Sequence, residues 1–162
     1  MSDPVSDRDA ELYCLLVPLV EQRLIIPRSC VAEVISYATP AEMTGAPPWY
    51  LGVVNWNGRH VPLVSFEGCC GDNIPPPSSR ARIVILHAVS PKVESGYYAI
   101  LSQGFPQLVR AGRELLKADT SQVYPDRSPI LCQIRLLNEA PLVPDLVRLE
   151  SMVADETTLL PP

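Results

Sequence analysis

Residues 47–64 read PPWYLGVVNWNGRHVPLV, and this stretch decides the fold of the chain. The Pro-Pro pair favours an extended start and disfavours a helix before it. Alternating apolar residues then indicate a strand with Gly52 near its start. Asn57-Gly58 is the strongest short-range hairpin signal, because both residues tolerate the positive φ of a type I′ turn. The returning strand contains Pro62, which an edge position or a bulge accepts. The stretch therefore predicts a surface hairpin and shows no sign of an active site.

The composition favours one β-rich domain. The 162 residues are 47% hydrophobic and include 18 prolines and 8 glycines, which is typical of many short strands joined by turns. Nine or ten strand-like segments at regular spacing predict an all-β pair of barrels, followed by a short helix with Leu146, Leu149 and Val153 on one face. We expect a flexible acidic tail at residues 1–10, one domain over 11–154 and a C-terminal tail at 155–162.

Charge and hydropathy exclude several classes of protein. The net charge of −5 leaves no excess of Lys and Arg to neutralise phosphates, so we expect no nucleic-acid partner. Residues 1–11 are polar and acidic and contain no apolar segment of a secretory signal. The apolar run 12–20 is shorter than the roughly 18 residues that span a bilayer. These features predict a cytoplasmic protein that does not insert into a membrane.

Residue patterns for catalysis are missing from the sequence. His60 and His87 are the two histidines, and neither belongs to a readable nucleophile–base pair. There is no Gly-x-Ser-x-Gly elbow and no glycine-rich phosphate loop. No spacing sets two carboxylates on one face for acid–base chemistry. We therefore expect no enzymatic activity and no cofactor.

The five cysteines leave one alternative open. Cys14, Cys30 and Cys132 lie in apolar patterns and are expected to be reduced core residues. The adjacent pair Cys69-Cys70 matches no zinc or redox spacing, in which the ligands are usually two to four residues apart. An incidental pair is favoured, and a cysteine-based redox or metal sensor is the less favoured alternative.

The hairpin resembles the CheW-like family, the coupling proteins of bacterial chemotaxis. The family pattern is P-x-x-hydrophobic-x-G-hydrophobic-hydrophobic-N-hydrophobic-R-G-x-hydrophobic-V-P-hydrophobic. This chain resembles it at Pro48, Leu51, Gly52, Val53, Val54, Asn55, Trp56, Gly58, Val61, Pro62 and Leu63, with Gly52 directly after Leu51 where the pattern has one residue between them. Residues 31–34, VAEV, resemble the family's V-x-E-V signature. The chain departs from the family at Asn57, where an arginine is usual, and at Ala99 and Gln103, where glycine and aspartate are usual. The resemblance covers roughly residues 12–150.

This resemblance implies both a fold and a function. The fold is all-β, with two small SH3-like five-stranded barrels packed side by side and short helices. The function is that of a non-catalytic chemosensory adaptor, which couples the tip of a chemoreceptor (a methyl-accepting protein) to the regulatory domain of a histidine kinase. The departures suggest a divergent member, for example of a pathway for pilus-based motility. A structural scaffold that fills array positions without activating a kinase is the alternative.

The resemblance also implies site residues. Those facing the receptor are Val31, Glu33, Asn57, Gly58 and Arg59, and those shaping the hairpin are Gly52, Asn55, Trp56, Val61 and Pro62. In the family the glutamate usually faces the hairpin arginine, and with Asn57 that pair cannot form in the same way. Arg59 is one candidate substitute, and a solvated Glu33 is equally compatible with the sequence. We expect Trp56 to point inward and Trp49 or Tyr50 to be partly exposed.

Overall fold

The computed structural model describes residues 12–112, 117–119, 124–125, 128–136 and 138–159, with the side chains of 117–119, 158 and 159 excepted. The predicted tail at residues 1–10 lies outside this part of the chain. The elements in chain order are β1 (Leu12–Pro18), β2 (Arg23–Pro27), a 3-10 turn (Arg28–Cys30), β3 (Val31–Ser36), β4 (Tyr50–Trp56), β5 (Arg59–Val64), α1 (Phe66–Cys69), β6 (Arg82–His87), β7 (Tyr97–Ser102), β8 (Gln107–Ala111), β9 (Lys117–Asp119), β10 (Ile130–Arg135), β11 (Leu142–Pro144) and α2 (Leu146–Leu159).

The strands form two sheets. The six-stranded sheet has the order β8-β1-β2-β11-β10-β9, and the five-stranded sheet has the order β3-β6-β7-β5-β4. Neighbouring strands are antiparallel except for β11 with β2 and β5 with β7, which are parallel. The all-β prediction of two small units with short helices is confirmed, and one sheet contains six strands where five were expected.

Side-chain alternation along β6 explains how the two sheets share a core. Ile83 and Ile85 are fully buried in an apolar cluster on one face of the five-stranded sheet. Val84 and Leu86 point the other way, into a second cluster that also contains Leu24 of the six-stranded sheet. Successive side chains of a strand face opposite sides of the sheet, and both sides are covered here. That is why β6 appears in the sequence as a continuous apolar run.

The central hairpin has the predicted turn. Asn57 has φ +49° and Gly58 has φ +73°, and Trp56 pairs with Arg59 across this two-residue loop. The strand β5 runs between β4 and β7, but at Pro62 it pairs only with β4, so Pro62 has the locally unpaired side that an edge position provides. The parallel register with β7 is found only at Leu63 and Val64, so Pro62 precedes the part of β5 that needs an N–H for that ladder.

Gly52, at the start of the hairpin, lies where the chain crosses itself closely. Its φ is +141°, and a Cβ atom there would overlap the carbonyl oxygen of Ala41. Ala41 forms two backbone hydrogen bonds of 2.9 Å with Val53, which attach the loop before the hairpin to the outer edge of β4. Only a glycine leaves room for this attachment.

The helix α2 covers the cluster between the sheets. Asp145 Oδ1 accepts a hydrogen bond of 3.0 Å from the Arg148 N–H, as an N-cap does. Leu149 and Val153 are fully buried, which confirms the predicted apolar face. The helix runs through Leu159, past residue 154 at which the sequence placed the end of the domain. Its Glu150 is also fully buried and binds the turn after β6.

Candidate functional site

A side-chain hydrogen bond joins the two edges of the five-stranded sheet. The Trp56 indole Nε1–H donates to Glu33 Oε2 at 2.5 Å. Glu33 lies on β3 and Trp56 ends β4, and these strands are the first and the last in the order of the sheet. A direct contact between them requires the sheet to curl until its edges meet, as in a small barrel. We call this contact the seam bond.

Aromatic and charged side chains surround the seam bond at the hairpin end of the sheet. The Tyr97 ring meets Trp56 edge to face at a centroid distance of 4.9 Å and lies 5.4 Å from the His87 ring. The Arg59 guanidinium carbon is 5.3 Å from the Tyr97 centroid. Each of these residues begins or ends a strand, so the turns bring them together. We call Glu33, Trp56, Arg59, His87 and Tyr97 the hairpin-end surface.

The partner of Glu33 differs from both sequence-based alternatives. Glu33 is exposed, yet its carboxylate is bound by Trp56, so it is neither simply solvated nor paired with Arg59. Arg59 instead lies over Tyr97 and donates to the Ser95 carbonyl at 3.4 Å. A hydrogen bond to a carboxylate is charge-assisted and hence stronger than a neutral one. The seam bond therefore leaves the Arg59 guanidinium beside it without a carboxylate partner among the described residues.

The three aromatic residues of the hairpin differ in how exposed they are to solvent. Trp56 is half-buried: its ring packs on the core cluster of the barrel while its N–H reaches the surface, so the expected inward orientation holds only for the ring. Tyr50 is buried and Trp49 is half-buried, so Trp49 is the partly exposed residue of that pair. The exposed hairpin tip consists of Asn57 and Gly58.

The structure places the remaining predicted residues apart from the hairpin-end surface. Val31 is half-buried, packs against the cluster between the sheets, and is separated from Glu33 by a bulge in β3. Asn55 is exposed opposite His60, whereas Val61 and Pro62 are buried within β5. Sequence reasoning missed Tyr97 as a member of the surface. The available signal was an aromatic residue at the first position of an apolar strand, directly after Gly96.

The burial of Cys69 and Cys70 and the residues around them do not favour a redox or metal site. Burial, followed by the neighbouring Cys70, raises the pKa of the Cys69 thiol, and burial together with Asp72 raises the pKa of Cys70 to about 12. Both thiols then stay protonated near neutral pH, whereas nucleophilic attack and metal binding require a thiolate. In the part of the chain that the structure describes, no group of three or more His, Cys, Asp or Glu could hold a metal ion.

The comparison with protein families decides the family. A model described as the CheW-like domain matches residues 13–127, which is more than half of the chain. The chain belongs to the CheW-like family. Its fold is also similar to that of the scaffolding protein TtCheW from Thermoanaerobacter tengcongensis, with a TM-score of 0.71 and 12% identity over 87% of this chain and 88% of that one. No curated protein matches this CheW-like chain. No described helix is long and apolar enough to cross a membrane.

Proposed function

We propose that this CheW-like chain is a non-catalytic adaptor of a chemosensory array, which couples the tip of a chemoreceptor to the regulatory domain of a histidine kinase. The observation that carries the proposal is the family-model match over residues 13–127. The structurally similar protein TtCheW is described as a scaffolding protein, and a scaffolding role fits the proposal. The divergent residues are consistent with a specialised pathway such as pilus-based motility.

The packing of the two sheets suits a protein that relays a change of position. Coupling between two partners requires contacts that differ between two states of the assembly. The strand β6 contributes Ile83 and Ile85 to the barrel cluster and Val84 and Leu86 to the cluster between the sheets. Because protein cores are close-packed, a shift of the hairpin end moves the shared strand rather than being absorbed locally.

The receptor would contact the hairpin-end surface and the turn beside it. Glu33, Asn57, Gly58 and Arg59 are exposed there, and Val31 supports β3 from the core side. Trp56 and Tyr97 provide aromatic area next to the Arg59 guanidinium, and Trp, Tyr and Arg are the residues that contribute most to protein interfaces. The neutral amide of Asn57 would then set which receptor is accepted, since charge placement at an interface governs specificity.

An experiment on Asn57 tests this assignment. Asn57→Arg adds a cation near Glu33, and Asn57→Gln is the matched control, because both side chains bear the same strain at φ +49°. We expect Asn57→Arg to lower affinity for the protein's own receptor tip and to raise affinity for a receptor whose usual adaptor carries the arginine. Asn57→Gln should leave the affinities for both receptor tips unchanged, apart from any loss that follows from lower stability of the fold.

The readout is a binding titration of each variant with both receptor tips. If Asn57→Arg and Asn57→Gln behave alike on both tips, the hairpin end is not the receptor surface. The thermal unfolding midpoints of the two variants should agree, which separates a change in binding from a change in folding.

A further inference from the structure

A second arginine–aromatic contact lies at the other end of strands β6 and β7. Arg82 begins β6 and pairs with Ser102, the last residue of β7. Its guanidinium carbon lies 3.9 Å from the centroid of the Phe105 ring. His87 and Tyr97 of the hairpin-end surface pair at the opposite end of the same strands. A strand of six residues spans about 17 Å, so the two contacts are well separated on one rigid pair of strands.

The Phe105 ring is presented to solvent beside uncompensated positive charge. Phe105 is 64% exposed although it is a large apolar side chain. Arg82 Nη1 donates to the Ala81 carbonyl at 2.8 Å and to the Arg80 carbonyl at 3.5 Å, which leaves most of the five guanidinium N–H donors for other partners. Within the described residues no carboxylate forms an ion pair with Arg82, and Arg80, two residues earlier in the chain, is exposed. We call Arg80, Arg82 and Phe105 the Phe105 surface.

A network of hydrogen bonds holds the two segments of the Phe105 surface together. Gln103 Oε1 accepts from the Ser78 N–H at 2.9 Å, and its carbonyl oxygen accepts from the Ser78 hydroxyl at 2.6 Å. The Ser78 hydroxyl oxygen accepts in turn from the Arg80 N–H at 3.1 Å. The Gln103 N–H donates to the Pro18 carbonyl of β1 at 2.9 Å. A surface that is ordered before binding loses less entropy when a partner docks.

We propose that the Phe105 surface is a second docking surface, which binds a partner protein segment carrying a carboxylate next to an apolar side chain. Charge complementarity identifies this occupant, because the Arg82 guanidinium lies against the apolar ring and Arg80 is exposed two residues earlier, in a chain whose net charge is −5. The guanidinium fork matches a carboxylate, and the exposed ring face accepts an apolar side chain. This surface is distinct from the hairpin-end surface and does not rest on the function proposed above.

The probe is a synthetic peptide of alternating Glu and Leu, titrated into the full-length protein labelled with ¹⁵N. We expect saturable shifts of the amide signals of Arg80, Arg82 and Phe105, which weaken as salt is added. Phe105→Ser and Arg82→Gln should each weaken binding at least ten-fold. Leu131→Ser is the matched control, since Leu131 is 61% exposed on β10 of the other sheet, and it should bind as the wild type does.

A peptide with Lys in place of Glu should cause no such shifts. The proposal is overturned if the acidic peptide causes no shifts, if the shifts map to another surface, if the Lys peptide binds equally, or if Phe105→Ser binds as tightly as Leu131→Ser. Asn57→Arg should leave peptide binding unchanged. If the protein binds the peptide at Phe105 but binds neither receptor nor kinase, the proposed function is refuted and this inference stands. If it binds receptor and kinase but not the peptide, this inference is refuted and the proposed function stands.

Discussion

Replacing Glu150 by glutamine tests how α2 is attached to the five-stranded sheet. Glu150 Oε1 accepts from the Ser90 N–H at 2.8 Å, and Oε2 accepts from the Val89 N–H at 2.9 Å and from the Tyr98 hydroxyl at 3.2 Å. Burial, together with the Glu150 carboxylate, raises the pKa of Tyr98, which keeps its hydroxyl protonated as a donor. Glutamine has the same shape, but one of its terminal groups is NH₂. Whichever way the amide turns, one of the two backbone N–H groups faces a donor.

The magnitude follows from counting these bonds. A buried N–H group without an acceptor costs about 1–3 kcal/mol, and each bond that survives loses about 1 kcal/mol when the acceptor becomes neutral. Removal of a buried charge offsets part of this loss, because desolvation of a carboxylate opposes folding. We expect Glu150→Gln to lower the free energy of unfolding by about 2–3 kcal/mol. Tyr98→Phe removes a single donor and should cost about 1 kcal/mol. The double variant should lose less than the sum, because the two groups share a bond.

Urea unfolding followed by tryptophan fluorescence measures these differences, and amide hydrogen exchange at Val89 and Ser90 reports the attachment locally. Asp155→Asn is the control, because it makes the same change of charge at an exposed position of the same helix, and it should stay within about 0.5 kcal/mol of the wild type. The reasoning is refuted if Glu150→Gln unfolds at the same urea concentration as Asp155→Asn and the amides of Val89 and Ser90 keep their protection.

Three further predictions concern the hairpin and the thiols. Gly58→Val should lower the free energy of unfolding by about 1–3 kcal/mol in thermal or urea unfolding. Gly58→Asn should lower it much less, because asparagine tolerates φ +73°, and equal losses would contradict the turn assignment. Gly52→Ala should cost about 2–4 kcal/mol, because its Cβ displaces the Ala41 carbonyl, and a wild-type midpoint would refute the close approach. Cys69 and Cys70 should react slowly with a thiol reagent near pH 8 until urea is added, and fast labelling of the native pair would contradict the burial of Cys69 and the half-burial of Cys70. The free energy of unfolding should fall as pH rises above the ordinary thiol pKa of 9.0, because the thiols of the unfolded chain then ionise before those of the folded chain.

The hairpin could be predicted from the sequence because its information is local. Asn57-Gly58 determines the turn through the backbone freedom of two adjacent residues, and the flanking alternation determines the register. The apolar face of α2 follows from the spacing of Leu149 and Val153 in the same way.

The contacts that the sequence could not predict join segments that are distant along the chain. The seam bond connects Glu33 with Trp56 because the five-stranded sheet curls. The alternation of apolar and polar residues along β3 or β4 does not reveal this curvature. Glu150 reads as a flank position of an amphipathic helix, yet it binds backbone groups of a turn 60 and 61 residues earlier. The Arg82–Phe105 contact likewise depends on the pairing of β6 with β7.

Kinase activity in a reconstituted array tests the central claim most directly. The receptor tip, the histidine kinase and this protein are combined, and autophosphorylation is compared with that of receptor and kinase alone. We predict that the wild-type protein stimulates the kinase, that Asp155→Asn does so equally, and that Gly58→Val, assayed below its unfolding temperature, does so less. If the protein joins the array without stimulation, it is a structural scaffold, and if it binds neither partner, the adaptor assignment is contradicted.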